Sequence, residues 1–244
     1  MSRVLIGTAG FFYPHWRGTF YPQNLPRKDW FRYYAKHFNT VELNVSFYRL
    51  PKREIFEGWR KKAGLPAGGF VFSVKGSRFI THIKKLKDCQ EPRQRFFEAA
   101  RGLGGGVILW QLPPRFKANP ERLEEFLRRR RTQWRYAFEF RHQSWLTKEI
   151  YRILKQYRAA VVFQDYPQWP MTEKITTDFV YLRLHGRQHL YSSCYTKREL
   201  AGWARKIKKW LIRGLDVYVY FNNDALGYAI ENARTLKKLC LKKN

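Results

Sequence analysis

Acidic residues are scarce in this chain beside its basic ones. Nineteen Asp and Glu stand against 48 Lys and Arg, a formal charge of +29. A self-repelling excess of that size favours polyanionic partners, either nucleic acid or an anionic membrane surface. The competing explanation is a lineage-wide bias toward Lys and Arg, or a composition suited to growth at high temperature. Cysteine is scarce too: Cys89, Cys194 and Cys240 are scattered, odd in number and form no CxxC. That excludes a disulfide framework and a cysteine zinc site, and it fits reduced thiols in the cytoplasm. No apolar run approaches the roughly 18 residues of a membrane span. Residues 1–6 carry no signal-peptide apolar region.

Several motifs are missing as well. There is no GxGxxG and no P-loop lysine, although Gly7-Thr-Ala-Gly10 resembles a phosphate loop distantly. Ser46, Ser73 and Cys194 lie in no nucleophile elbow, so nucleophilic catalysis has little support. The whole chain has six His, and only His82, His142 and His185 fall near strand ends. A multi-zinc cluster is therefore poorly supplied.

What the chain does have is a core. Hydrophobic residues make up 44% and aromatics 18%, with nine Trp among 244 residues. This suits one large α/β domain that buries roughly three quarters of its unfolded surface. Apolar runs predict strands over Arg3–Ile6, Val41–Val45, Phe70–Val74, Val107–Trp110, Tyr136–Phe140, Ala160–Gln164, Phe179–Leu184 and Val217–Phe221. Helical spacing predicts helices over Trp30–Phe38, Pro51–Lys62, Pro92–Arg101, Leu146–Tyr157 and Gly227–Leu239. Asn119 with Pro120 opens another helix, and Thr196 with Glu199 forms a capping box before Lys197–Arg213. The segment Tyr166–Thr177 has no helical period, so one outer helix is missing or reduced after the sixth strand. Eight strands alternating with helices imply a parallel sheet, and at this length a single-domain (β/α)8 TIM barrel.

Active sites of such barrels form at the carboxyl ends of the strands. The polar residues there are Glu42 and Asn44, Lys75 and His82, Gln111, then Glu139, Arg141 and His142. Asp165, Arg183, His185, Asn222, Asn223 and Asp224 follow on the last strands. The stretch YAFEFRHQSW, Tyr136–Trp145, gathers a carboxylate, a fixed cation and an imidazole within a few residues. A buried Glu139 could act as general acid or base, with Glu42 or Asp165 as second carboxylate and His185 and His82 moving protons. The plainer reading is a salt bridge from Glu139 to Arg141 or Arg183. Glu42, Glu139, Asp165 and His185 are the set that could ligate one divalent metal. No ligand spacing such as HExxH supports that, and no cofactor is assigned.

Lys75, Arg141 and Arg183 suit phosphate, and Lys75–Lys87 contains no acid. Loop aromatics, Phe11, Phe12, Tyr13, Trp16, Tyr48, Trp145, Tyr191 and Tyr195, could stack unpaired bases. Alternatively they pack the loops down. Further charge sits in Arg128–Arg131, Lys197–Arg213 and Lys237–Lys243, on outer helices that could hold polyanions without marking an active site.

The blocks GTAGFFYPHWRGTFYP, FNTVELNVSFYRLP, FSVKGSRFITH, LWQLPPRF, FEFRHQSW, YLRLHG and VYVYFNND occur in this order. They resemble the successive blocks of the YecE-like family, a domain of unknown function, from about Ile6 to Ala233. The resemblance implies a TIM barrel and brings no established activity. A likeness of the family to the endonuclease IV type of DNA-repair barrel is an analogy of fold. The matching positions are Tyr13, Trp16, Glu42, Asn44, Ser46, Tyr48, Lys75, His82, Gln111, Glu139, Arg141, His142, Trp145, Asp165, Arg183, His185, Tyr220, Asn222 and Asn223.

The expected function is thus nucleic-acid binding, DNA or RNA, at the strand ends, with phosphodiester hydrolysis or nucleotide processing as the accompanying chemistry. The alternatives are a metabolic enzyme acting on a small anionic substrate, and a non-catalytic polyanion binder.

Overall fold

The computed structural model describes residues 2–64 and 69–241. Its strands are β1 (Val4–Thr8), β2 (Thr40–Leu43), β3 (Val71–Lys75), β4 (Gly106–Gln111), β5 (Trp134–Glu139), β6 (Ala159–Asp165), β7 (Phe179–Leu184) and β8 (Asp216–Phe221). They form one eight-stranded sheet in the order β1-β8-β7-β6-β5-β4-β3-β2. Pairing is parallel from β1 to β8 and from β7 to β8, and again from β3 through β6. The two ends of this order, β1 and β2, meet at a parallel bridge from Ala9 to Glu42. There the Gly10 N–H donates to the Glu42 carbonyl at 2.8 Å. Gly7 permits this seam, because a Cβ at that position would lie 2.3 Å from the Thr40 carbonyl oxygen. Eight parallel strands closing in this way, with helices between them, make the (β/α)8 barrel that the strand count implies.

The helices are α1 (Trp30–His37), α2 (Val45–Tyr48), α3 (Arg53–Ala63), α4 (Gln90–Ala100), α5 (Pro120–Arg128), α6 (Lys148–Gln156), α7 (Lys197–Ile212) and α8 (Tyr228–Leu241). Their starts follow local chemistry. Asn119 accepts from the Arg122 N–H with Pro120 in the first turn, and Thr147 accepts from Ile150. Thr196 and Glu199 form the full capping box of α7, so orphan N–H groups are satisfied from within each segment. As expected, no helix joins β6 to β7. One expectation fails. The second strand stops at Leu43, and Val45, expected in the strand, opens the single turn α2. Lys242 and Lys243 of the last basic segment lie outside the described residues.

By density of internal packing the chain divides into two compact units. The first comprises Met1–Glu42, Phe163–Met171 and Asp178–Asn244, the second Leu43–Val162 and Thr172–Thr177. In the first, the aromatic-rich connection after β1 builds its own core. Trp16, Tyr21, Trp30 and Tyr34 are all buried, and Tyr21 stacks on Trp30 at 4.6 Å and 11°. The Tyr34 hydroxyl receives the Thr8 N–H at 3.0 Å and donates to the Thr40 carbonyl at 3.1 Å. In the second, Trp110 packs edge-on against Phe126 and Tyr136. β3 and β4 approach closely at Gly106 (φ +136°), where a Cβ would fall 2.0 Å from the Phe72 carbonyl oxygen.

Candidate functional site

In the first unit, the alternation of side chains along β7 sets Tyr181 and Arg183 on one face, with His185 two residues further on. Parallel register sets Arg183 beside Tyr220 of β8. Arg183 grips Glu42 with two bonds, Nη2 to Oε1 at 2.8 Å and Nε to Oε2 at 3.0 Å. The Tyr181 hydroxyl donates to Oε2 at 2.7 Å. Glu42, Arg183, Tyr181 and His185 are all buried, so this is a fork-on-carboxylate pair held out of water. His185 lies 3.5 Å from Arg183 Nη1 and 3.1 Å from the Asn222 amide. The Tyr220 hydroxyl pairs with Thr40 Oγ1 at 2.7 Å, and burial pushes it well above the usual phenol range.

Several of the expected residues in this unit have partners within the protein. The Asp165 side chain lies among Tyr195, Trp203, Arg187 and Glu199, beneath α7, and desolvation there raises its carboxyl above the usual range. Asn223 is buried and donates to the Ser193 carbonyl and to Asn232 Oδ1, so it ties down the loop after β7. Trp16 is fully buried and donates its indole N–H to Asp224 at 2.9 Å. Tyr13 sits 4.8 Å from Trp16 and donates its hydroxyl to the Ala9 carbonyl. Phe11 and Tyr195 are also buried. Phe11, Trp16 and Tyr195 therefore offer no open face to a base, and Tyr13 is partly exposed. Phe12 and Tyr191 are the exposed exceptions in this unit.

Sequence reasoning missed His15, whose Nε2 lies 3.0 Å from Asp224 Oδ2. Burial raises Asp224 to about 6, against the opposing pull of Trp16 and His15. The two residues are 209 apart in the chain, so no local pattern could have revealed the pair.

The second unit holds a different cluster. Gln111 and Glu139 are register partners at the ends of β4 and β5. Gln111 Nε2 accordingly donates to Glu139 Oε1 at 2.8 Å, and Arg141 Nε reaches the same oxygen. Glu139 is fully buried, whereas the Arg141 side chain keeps 12% of its exposure. After β3, one wide helical turn at Phe79–Ile83 carries His82. His82 lies edge-on to Phe47 at 4.9 Å, and the Lys75 ammonium stands 4.0 Å from the centre of the same ring. Burial first, then the charges of Lys75, Arg78 and Arg141, lower the His82 imidazole to about 4. The Ser46 hydroxyl fixes this strand end by donating to the Lys75 carbonyl at 2.6 Å. Tyr48 beside it is 81% exposed and Phe79 44% exposed. The Asn44 amide oxygen is buried with no hydrogen-bond partner among the described residues.

Two more of the expected residues in this unit have partners within the protein. Trp145 is fully buried, stacked on Phe140 at 4.9 Å and 6°, with its N–H on the Phe116 carbonyl at 2.7 Å. His142 Nδ1 takes the Ser144 N–H at 3.2 Å, and Ser144 Oγ in turn takes the Ala118 N–H at 2.8 Å. His142 therefore shapes the loop. The residues named as able to ligate one divalent metal do not gather into such a site. Among the described residues no three His, Cys, Asp or Glu gather closely enough to hold a metal ion. Within that set, Glu42 spends both oxygens on Arg183 and Tyr181, and Asp165 is turned toward α7. No helix among the described residues is long and apolar enough to cross a membrane.

The sequence pattern of the family described as "Protein of unknown function DUF72" matches residues 5–244. A DUF72 family protein of Thermotoga maritima has a similar crystal structure, with TM-score 0.87, 31% identity, and coverage of 98% of this chain and 100% of that one. The UPF0759 protein YunF of Bacillus subtilis is 25% identical over 90% of this chain and 89% of its own length. The UPF0759 protein YecE of Escherichia coli K12 is 32% identical over 47% of this chain and 42% of its own. The chain belongs to the DUF72 family, as the resemblance of its motif blocks implies.

Proposed function

We propose that the second unit binds phosphate groups of a nucleic-acid strand through Lys75, Arg78, His82 and Arg141, with Tyr48 as a stacking face. The observation that carries this reading is the convergence of three cations on the half-buried His82, beside an aromatic side chain that is 81% exposed. Guanidinium and ammonium groups neutralise phosphates, and an exposed ring stacks any unpaired base. The cluster favours single strands, since an unpaired base leaves a face for Tyr48. Phosphodiester hydrolysis would be the attached chemistry, with Glu139 as acid or base. Its carboxylate accepts from Gln111 and Arg141, and Arg141 also faces the cationic cluster.

Fluorescence anisotropy with labelled single-stranded and duplex oligonucleotides across a salt series tests the binding. Each phosphate that a variant no longer neutralises should flatten the slope of log K against log salt by about 0.7 for single strands. Lys75→Ala/Arg141→Ala should therefore flatten it by about 1.4 and weaken binding. Equal affinity and slope for wild type and double variant would remove the site. Loss of binding only on charge reversal of Arg205, Lys208 and Lys209 in α7 would assign affinity to the outer helices. Stabilisation by small phosphorylated compounds without oligonucleotide binding would favour a small anionic substrate. Glu139→Gln separates the steps, because it should abolish cleavage and spare binding; unchanged cleavage would withdraw the catalytic role.

A further inference from the structure

At the other end of β5 from Glu139 lies a cavity of about 360 Å³, lined by Gln90, Arg93 and Gln94 of α4 and by Arg129, Arg130 and Arg131 ahead of β5, with Phe97 as apolar wall. Its volume is within the range of small-molecule sites, roughly 300–1,000 Å³. Four guanidinium-bearing residues face it, and no carboxylate does.

Arg93 is the decisive member. It is only 6% exposed, and its guanidinium is held by carbonyls, Nη1 on Phe126 at 2.8 Å and Nη2 on Arg129 at 2.7 Å. Its face lies 4.1 Å from the Phe126 ring. Those carbonyls close the carboxyl end of α5, where the helix dipole contributes only about half a negative charge. Arg93 thus has hydrogen bonds but no ion-pair partner among the described residues, which is a costly state for a buried cation. Arg129, Arg130 and Arg131 also make no salt bridge among the described residues, while neighbours on the same two helices do. Arg95 pairs with Glu91, and Arg128 with Glu124 at 3.7 Å. Acids are therefore present on the outer faces of α4 and α5 and absent from the cavity lining. Water and salt screen the exposed Arg129 and Arg131, whereas the buried Arg93 is screened less.

We propose that this cavity is an anion site for a phosphate dianion, free or as the terminal phosphate of a small molecule. Planar guanidinium forks match phosphate oxygens in pairs, the Gln90 amide oxygen accepts from and orients the Arg129 guanidinium, and the Gln94 amide can supply a neutral donor for a remaining oxygen. The site is independent of the Lys75–Arg141 cluster. The six residues of β5 separate the two by roughly 17 Å at about 3.3 Å per residue.

The test is isothermal titration of the full chain with inorganic phosphate, pyrophosphate and a nucleoside monophosphate, at constant ionic strength. The variants are Arg130→Ala/Arg131→Ala and, for comparison, Lys75→Ala/Arg141→Ala. Arg93 is left intact because it closes α5, and the unliganded melting temperature confirms that each variant folds. One saturable site is expected, weakened at least tenfold in Arg130→Ala/Arg131→Ala and retained in Lys75→Ala/Arg141→Ala. Binding by inorganic phosphate and pyrophosphate would identify a free anion; binding by the monophosphate alone would identify a terminal phosphate. Heats that never saturate, or equal affinity in wild type and Arg130→Ala/Arg131→Ala, would overturn the assignment.

Discussion

Arg183→Met is the perturbation whose cost the structure defines most sharply. Glu42 is fully buried and receives three hydrogen bonds, two from Arg183 and one from Tyr181. Replacing the guanidinium with an apolar chain of similar length leaves the carboxylate buried on the Tyr181 hydroxyl alone. Removing one partner of a buried ion pair costs about 3–5 kcal/mol, because the other charge stays desolvated. At this chain length that corresponds to a fall in melting temperature of roughly 6–20 °C. The contrast that isolates the cause is Glu42→Leu/Arg183→Met, which removes both charges. Its remaining liability is the Tyr181 hydroxyl deprived of its acceptor, about 1–3 kcal/mol. The double variant should therefore be more stable than the single one. Urea unfolding followed by the fluorescence of the nine Trp, with circular dichroism to check that the transitions coincide, measures both. A single variant within about 1 kcal/mol of wild type, or a double variant less stable than the single, would refute the claim that an unpaired buried charge governs the cost.

Two pH dependences follow. Folded His82 titrates at about 4 against its ordinary 6.5, so between those values the unfolded chain binds more protons. Its contribution to stability is complete above pH 6.5 and is lost as pH falls toward 4. Lys75→Met should move the His82 midpoint, read by NMR of its ring protons, upward toward 6.5; no movement would show that the ammonium does not reach the ring. Asp224 works in the opposite sense, at about 6 folded against its ordinary 3.8. The folded chain then binds more protons, so its contribution is greatest below pH 3.8 and is lost as pH rises through 6. Asp224→Asn should remove that slope from a stability profile between about pH 3 and 8, and an unchanged profile would discard the assignment.

The parts of the fold legible in the sequence are those determined within a few residues. β7 occupies the expected Phe179–Leu184 because a run of mostly apolar, strand-forming residues, broken only by Arg183, ends at His185-Gly186. Asn119 and Thr196 cap as expected because a cap is a contact across three residues. The second strand ends two residues earlier than its apolar run implies, because Val45 has strand propensity while Asn44-Val45 already turns into α2. The site is legible as a set of residue types, less so as partnerships. Glu139, Arg141 and Gln111 come together as strand-end logic requires. By contrast, Arg183 and Glu42 are 141 residues apart. Period-two alternation says which residues share a side but not which side faces α7, so it cannot tell that Asp165 meets Trp203 and Glu199 of α7. Composition likewise cannot separate an aromatic that packs a loop, as Trp16 and Trp145 do, from one that meets solvent, as Tyr48 does.

Each unit contains a glutamate at a strand end gripped by an arginine, and exposure separates what the two can do. In the Glu42–Arg183 pair the side chains keep 0% and 2% of their exposure, and three donors occupy the carboxylate. Enclosed in this way, Glu42 ties its strand end to Tyr181 and Arg183 of β7. In the Glu139–Arg141 pair the arginine side chain keeps 12%, and its charge is felt at His82. In the proposed site Arg141 would contact an anion while it holds Glu139, and an anion drawing on that guanidinium would weaken its hold on the carboxylate. In the proposed site, ligand binding at the cationic cluster would be coupled to the hold on Glu139 through this one side chain, so Arg141→Lys, keeping the charge but losing the fork, should disturb Glu139 more than it disturbs anion affinity.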